Sequence, residues 1–310
     1  MFLLSQIIGL AVIGAYSPKQ EQVVNITTGN IENITVSPGI PYGMEPPELK
    51  PEISLLSILM SVAIATFLIF FLRKINAFLV LKLWFFSVIT ISIAITINSF
   101  LISIFSKQVS NLPLLAFVIA LPLTFYKIFE RNVYLHNISE LFIYPGIAVI
   151  FVPILNTYAA IGLLVAIAAY DVYAVWHAQF MQKLAKFQIE KLKIFTGFLI
   201  PYVAKKDRIK IQKIRAIARD RGEEAAEKLL RKQKIKVNLA VLGGGDITMP
   251  LIFSGVILRT YGLLNASIIT IFAALSLLLL FMLAKKGKFY PAMLFISPAC
   301  ILGFLISLLF

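Results

Sequence analysis

Residues Leu242–Arg259 read LGGGDITMPLIFSGVILR. Three glycines, one acid and a proline interrupt a run that is otherwise apolar. Extended back to Val237, the stretch Val237–Leu258 has the length a helix needs to cross a bilayer, roughly 20 residues. An ionised carboxylate in hydrocarbon is costly, so Asp246 at that depth is a functional candidate by default. Gly243, Gly244 and Gly245 weaken helix ahead of it. Pro250, four residues on, has no N–H for the Asp246 carbonyl. A backbone loosened on both sides is tolerated in a membrane only where protein or water satisfies its polar groups. A wet cavity at Asp246 is therefore expected.

Outward from this stretch the chain keeps the same character. Its 310 residues are 59% hydrophobic and 14% charged, against about 45–50% and about 25% in an ordinary soluble domain. Further apolar runs are Ile53–Leu72, Leu83–Ile104, Leu112–Tyr126, Leu141–Leu155, Tyr158–Gln179, Leu263–Ala284 and Pro291–Phe310, with a shorter one at Phe2–Tyr16. The expected fold is an all-α polytopic membrane protein with nine transmembrane helices, or eight if Phe2–Tyr16 is a cleaved signal. The single cysteine, Cys300, excludes an intrachain disulfide framework, and no Cys/His cluster has metal-ligand spacing; His136 and His177 stand alone.

The 29 Lys+Arg and 15 Asp+Glu leave a net charge of +14. Such an excess commonly marks a nucleic-acid binder, but that needs a polar scaffold this chain lacks. The charges fall in loops instead. If Phe2–Tyr16 runs outward, one side carries Arg73, Lys74, Lys127, Arg131, Lys285, Lys286, Lys288 and the segment 183–236. The other carries only Lys19, Lys50, Lys107 and Arg259. The positive-inside rule then puts the N-terminus and 183–236 in the cytoplasm and the C-terminus outside. Segment 183–236 alone holds 17 Lys+Arg and 6 Asp+Glu, a net of +11. Within it, Ile194–Ala204 is rich in β-formers and too short to span. Arg208–Lys236 reads as a basic amphipathic helix facing solvent or lipid headgroups. The exterior stretch Ser17–Glu52 is polar and proline-rich, with Asn-x-Thr sequons at Asn25 and Asn33.

A second acid, Asp171, lies inside Tyr158–Gln179. Ala168 and Ala174, three residues to either side, share its helix face and let another helix approach closely. Neither acid has a basic partner at its depth in the apolar runs, and Lys82 reaches for the end of its own span. Two carboxyl groups facing each other share one proton. The ionised member takes a proton from water while the protonated one polarises a scissile carbonyl. That is aspartyl-protease chemistry without a covalent intermediate. The rival use of intramembrane acids is a secondary transporter or proton channel.

Tyr170-Asp171, Gly243-Gly244-Gly245-Asp246 and Pro291-Ala292-Met293, in that order and in separate spans, resemble presenilin and signal peptide peptidase, the GxGD intramembrane aspartyl proteases. The likeness covers roughly Leu163 to the C-terminus. Leu242–Arg259 and Pro291–Gly303 resemble signal peptide peptidase more, whereas the expected orientation is that of presenilin. The resemblance implies a presenilin-like fold and one membrane-embedded protease domain over 1–310. It would comprise a six-helix part (1–182), a basic loop (183–236) and a three-helix part (237–310). Asp171 and Asp246 would be the catalytic pair, with Tyr170 beside them. Gly243, Gly244 and Gly245 would permit close backbone approach, and Pro291, Ala292 and Met293 would line the cleft, their freed backbone groups holding substrate. No cofactor, metal or nucleic acid is implied. The substrates would be transmembrane-helix proteins or remnant signal peptides, cleaved within the lipid bilayer. A helical substrate must unwind, and an extended segment can add to a strand. The expected edge is Phe198–Ala204, through Phe198, Leu199, Ile200, Tyr202 and Val203.

Overall fold

A computed structural model describes residues 1–24, 31–36, 38–44, 51–74, 77–105, 111–130, 132–177, 196–203, 237–283 and 290–310. Nine α-helices lie among them: α1 (Phe2–Tyr16), α2 (Pro51–Lys74), α3 (Phe78–Phe105), α4 (Leu112–Phe129), α5 (Val133–Phe151), α6 (Thr157–Val172), α7 (Gly244–Tyr261), α8 (Leu263–Leu283) and α9 (Met293–Ser307). Helix α5 tightens into a 3₁₀ turn at Val152–Ile154, and α6 runs on into a π-helical turn at Tyr173–His177. Five of them, α3, α4, α5 with its extension, α6 and α8, are long and apolar enough to cross a membrane; α1 and α9 are shorter apolar helices.

Two antiparallel strand pairs accompany the helices. β1 (Lys19–Val24) pairs with β2 (Ile31–Val36), from Lys19↔Val36 to Val24↔Ile31. The stretch Ser17–Glu52, expected outside, therefore contains a ribbon, built where Val, Ile and Thr cluster in an otherwise polar segment. β3 (Gly197–Val203) pairs with β4 (Val237–Gly243), from Gly197↔Gly243 to Val203↔Val237. This corrects the expected continuous span Val237–Leu258, whose first third is a strand. The glycines mark the junction at which strand becomes helix. The expected helix Arg208–Lys236 lies outside the described residues, as does Ala204.

Helix α5 begins at Val133, eight residues before the expected Leu141, because the Asn132 side chain accepts from the N–H groups of Tyr134 at 2.9 Å and Leu135 at 3.4 Å. That cap satisfies first-turn donors that would otherwise be orphaned. It also brings Glu140 inside the helix.

Helix α1 belongs to the core. Tyr16 donates to the Ile95 carbonyl at 3.0 Å and accepts from Asn98 Nδ2 at 2.9 Å, fastening α1 to α3. A Cβ on Gly9 would meet the Leu251 side chain, and one on Gly255 would stand 2.7 Å from both Ile13 Cδ1 and Val152 Cγ2. Small residues thus let α1, α5 and α7 approach closely, as close-packed membrane helices require. The same logic joins α3 to α5, where a Cβ on Gly146 would fall on the Ser92 carbonyl.

Candidate active site

Asp171 lies one residue before the end of α6, itself started by Asn156, whose side chain accepts from the Ala159 N–H at 2.7 Å. Its carboxyl group is buried, at 8% exposure, and Oδ2 accepts a hydrogen bond from the Met293 N–H at 3.1 Å. Met293 opens α9, so its N–H is one of the four donors a helix start leaves without a helical partner. The positive end of the α9 dipole faces the same carboxylate. Pro291 and Ala292 bring the chain to that point, both buried. The freed backbone group expected to hold substrate holds Asp171 here. Ser297 Oγ donates to the Leu164 carbonyl at 3.2 Å and fixes α9 against α6.

Asp246 lies in the first turn of α7. Gly243 is the N-cap residue, with φ −63° and ψ 145°, and the Asp246 carboxylate reaches back to its N–H. This is half of a capping box, three residues apart. The glycines act by lacking Cβ atoms rather than by unusual backbone, since none of the three has positive φ. A Cβ on Gly243 would stand 3.0 Å from Asp246 Oδ2, and one on Gly244 would stand 3.2 Å from Tyr144 Cε1. Gly245 is exposed, with nothing in the way of a Cβ. Pro250 lies inside α7, leaving the Asp246 carbonyl without its helical donor. One residue on, the Ile247 carbonyl accepts from Gln6 Nε2 of α1 at 2.9 Å. Gln6 Oε1 and Ser5 Oγ beside it are buried with no protein partner. Such groups call for water.

The two carboxyl groups are within electrostatic reach of each other. Tyr170, next to Asp171 in α6, is 46% exposed. Ala174 is fully buried and Ala168 packs on the core. Leu199 and Ile200 lie in β3 with Phe198, which is fully buried with its ring 5.6 Å from that of Tyr144. Tyr202 and Val203 complete the strand.

Sequence reasoning missed a third intramembrane acid. Glu140 of α5 is completely buried and ion-paired to Lys127 of α4. Lys127, expected as a loop charge, is therefore an interior one. His136 does not stand alone: Nε2 bonds the Gly197 carbonyl at 2.8 Å, and Nδ1 is 3.5 Å from Lys127 Nζ. Asn137 bonds both backbone groups of Leu199. The usable signal was spacing: His136, Glu140 and Tyr144 recur every four residues on one face. Among the described residues no group of His, Cys, Asp and Glu is arranged to hold a metal ion.

The chain matches the family described as signal-peptide peptidase, presenilin aspartyl protease over residues 42–310. It belongs to that family. Two crystal structures of a presenilin family intramembrane aspartate protease, in space groups C222 and P2, share the fold. Each is 17% identical with a TM-score of 0.57, over 100% of this chain and 96% or 95% of theirs. Comparison with curated proteins found no match. The protein is an intramembrane aspartyl protease, an aspartic endopeptidase, and an integral multi-pass membrane protein. That family sets aside the transporter reading of the chain. The protease's mostly helical architecture agrees with the nine-helix, presenilin-like fold expected from sequence.

Proposed function

We propose that Asp171 and Asp246 are the catalytic pair, and that the protease cleaves peptide bonds within transmembrane segments of membrane proteins or remnant signal peptides. One observation carries this reading. Among the described residues each acid has one backbone donor, the N–H of Met293 or of Gly243, and the two carboxyl groups lie within electrostatic reach of each other. One backbone donor apiece orients a carboxyl group while leaving its other oxygen for water or substrate. Two interacting carboxyl groups hold one proton between them and titrate as a unit. The ionised member removes a proton from the attacking water. The protonated member donates to the carbonyl oxygen as the tetrahedral intermediate forms, then the proton passes to the leaving amine.

Tyr170, exposed beside Asp171, is placed to meet a substrate side chain, and exposed Gly245 leaves room for a substrate backbone at Asp246. Pro291 and Ala292 wall the α9 side of the cleft. The substrate is an unwound segment that adds as a strand. We place the added strand on β4 rather than on the expected Phe198–Ala204 edge, because the Gly197 carbonyl and both backbone groups of Leu199 in β3 are engaged by α5. Backbone groups of a strand alternate between edges, so Leu239, Val241 and Gly243 face away from β3. The Gly243 N–H on that edge is the one that holds Asp246. A strand laid along β4 therefore ends at the carboxylate. The N-terminus and 183–236 are assigned to the cytoplasm and the C-terminus to the exterior by the charge asymmetry.

The test is cleavage of a single-span reporter peptide in bilayer, with and without a peptide analogue bearing a hydroxyl in place of the scissile carbonyl. A transition-state analogue should bind at least about 100-fold tighter than substrate. Cleavage indifferent to the analogue, or abolished by a metal chelator, would count against the two-acid mechanism.

A further inference from the structure

The outer edge of β3, turned away from β4, is closed at Leu199 and at the Gly197 carbonyl. Asn137 Oδ1 accepts the Leu199 N–H at 2.9 Å, and Asn137 Nδ2 donates to the Leu199 carbonyl at 2.8 Å. One side-chain amide so makes both bonds that a neighbouring strand would make to that residue. Gly197 and Pro201 share this edge, being two residues away on either side. The Gly197 carbonyl is taken by His136 Nε2 at 2.8 Å. Pro201 has no N–H to offer.

The imidazole is itself fixed. A carbonyl only accepts, so Nε2 carries the proton, and Nδ1 accepts from the Lys127 ammonium. That ammonium is held by Glu140. All of these α5 groups are buried, so the arrangement is interior and not a loose surface contact. Among the described residues, the sheet has two strands and nothing pairs with the far side of β4.

We infer that Asn137 and His136 are positioning residues of the protease, standing in for a third strand on β3 so that an extended substrate has only the β4 edge to join. This rests on the strand-addition reading above. A strand with two open edges would accept substrate on the wrong side, away from Asp246, and hold it unproductively. Closing one edge with side chains is the intramolecular form of the protection that natural sheets give their edges.

Residue-resolved amide exchange tests it on the Asp246→Asn enzyme, with and without a synthetic single-span peptide. The Leu199 amide should be protected in the free enzyme and unchanged by peptide. The Leu239 and Val241 amides should exchange at least about tenfold faster than Leu199 when free, and slow when peptide binds. Peptide protection appearing at Leu199 overturns edge selection while leaving strand addition standing. No response at any strand amide removes strand addition and this inference with it, whereas the protease reading stands or falls on cleavage by the wild-type enzyme. In the Asn137→Leu enzyme, unproductive binding on β3 should lower kcat and KM together, by about two- to tenfold, with kcat/KM unchanged. A fall in kcat alone, or no change, would mark a merely structural role and overturn the inference. If that variant does not fold, the exchange measurement decides alone.

Discussion

Breaking the buried pair between Lys127 and Glu140 should cost more than removing it. The two side chains are 1% and 0% exposed. Lys127→Met leaves the Glu140 carboxylate in the interior beside His136 and Tyr144 but without its ammonium, and Glu140→Met strands the ammonium in the same place. Removing one member of a buried ion pair costs about 3–5 kcal/mol, because an uncompensated charge stays behind. Converting both to methionine leaves no charge to solvate and fills much the same volume, so the double variant should lose less than either single one. At about 2–4 °C per kcal/mol, each single change should lower the melting temperature by roughly 6–20 °C. The coupling energy should be at least about 2 kcal/mol. Thermal unfolding of the purified protein in one detergent, followed by intrinsic fluorescence, measures the cycle. Additive effects, or singles that melt within a degree or two of wild type, would refute the reasoning, because the two charges would then not depend on each other.

Three further outcomes follow from the same geometry. Gly243→Ala would set a methyl group 3.0 Å from Asp246 Oδ2; kcat should fall about 10- to 100-fold while the melting temperature moves by only a few degrees, read by parallel kinetics and unfolding. Gly146→Ala would drive a methyl group into the Ser92 backbone carbonyl, where no side chain can swing aside, so α3 and α5 must part at a cost of at least about 1–3 kcal/mol; a stability equal to wild type would contradict the close packing. The rate should be bell-shaped in pH, falling in acid as both carboxyl groups of the dyad are protonated and in base as both ionise; a rate rising steadily on either side would contradict a shared proton.

The features legible in the sequence were those whose chemistry demands a particular side chain. Asp171 and Asp246 stand out because nothing else charged lies so deep in its apolar run. The glycines and Pro250 stand out because they are poor helix residues. What escaped notice depended on partners far along the chain. Val237–Leu242 is an apolar run that reads equally as buried helix or strand, and only pairing with β3 decides it. Glu140 was lost because hydropathy starts the span at Leu141, beyond the polar first turns that Asn132 caps. Lys127 looked like a solvated loop charge because its partner, Glu140, lies on the next helix. The Met293 N–H that holds Asp171 is a backbone group, invisible to any reading of side chains. Asn137 had no signal at all, since its two partners belong to a strand about sixty residues on.

The most direct test of the dyad is the cleavage rate of a single-span reporter in bilayer by three enzymes: wild type, Asp171→Asn and Asp246→Asn. Each amide keeps the shape of the carboxyl group while removing its proton chemistry, so each variant should fold, bind the reporter and release no product. Product from either variant at a rate comparable to wild type would contradict the assignment of Asp171 and Asp246 as the catalytic pair.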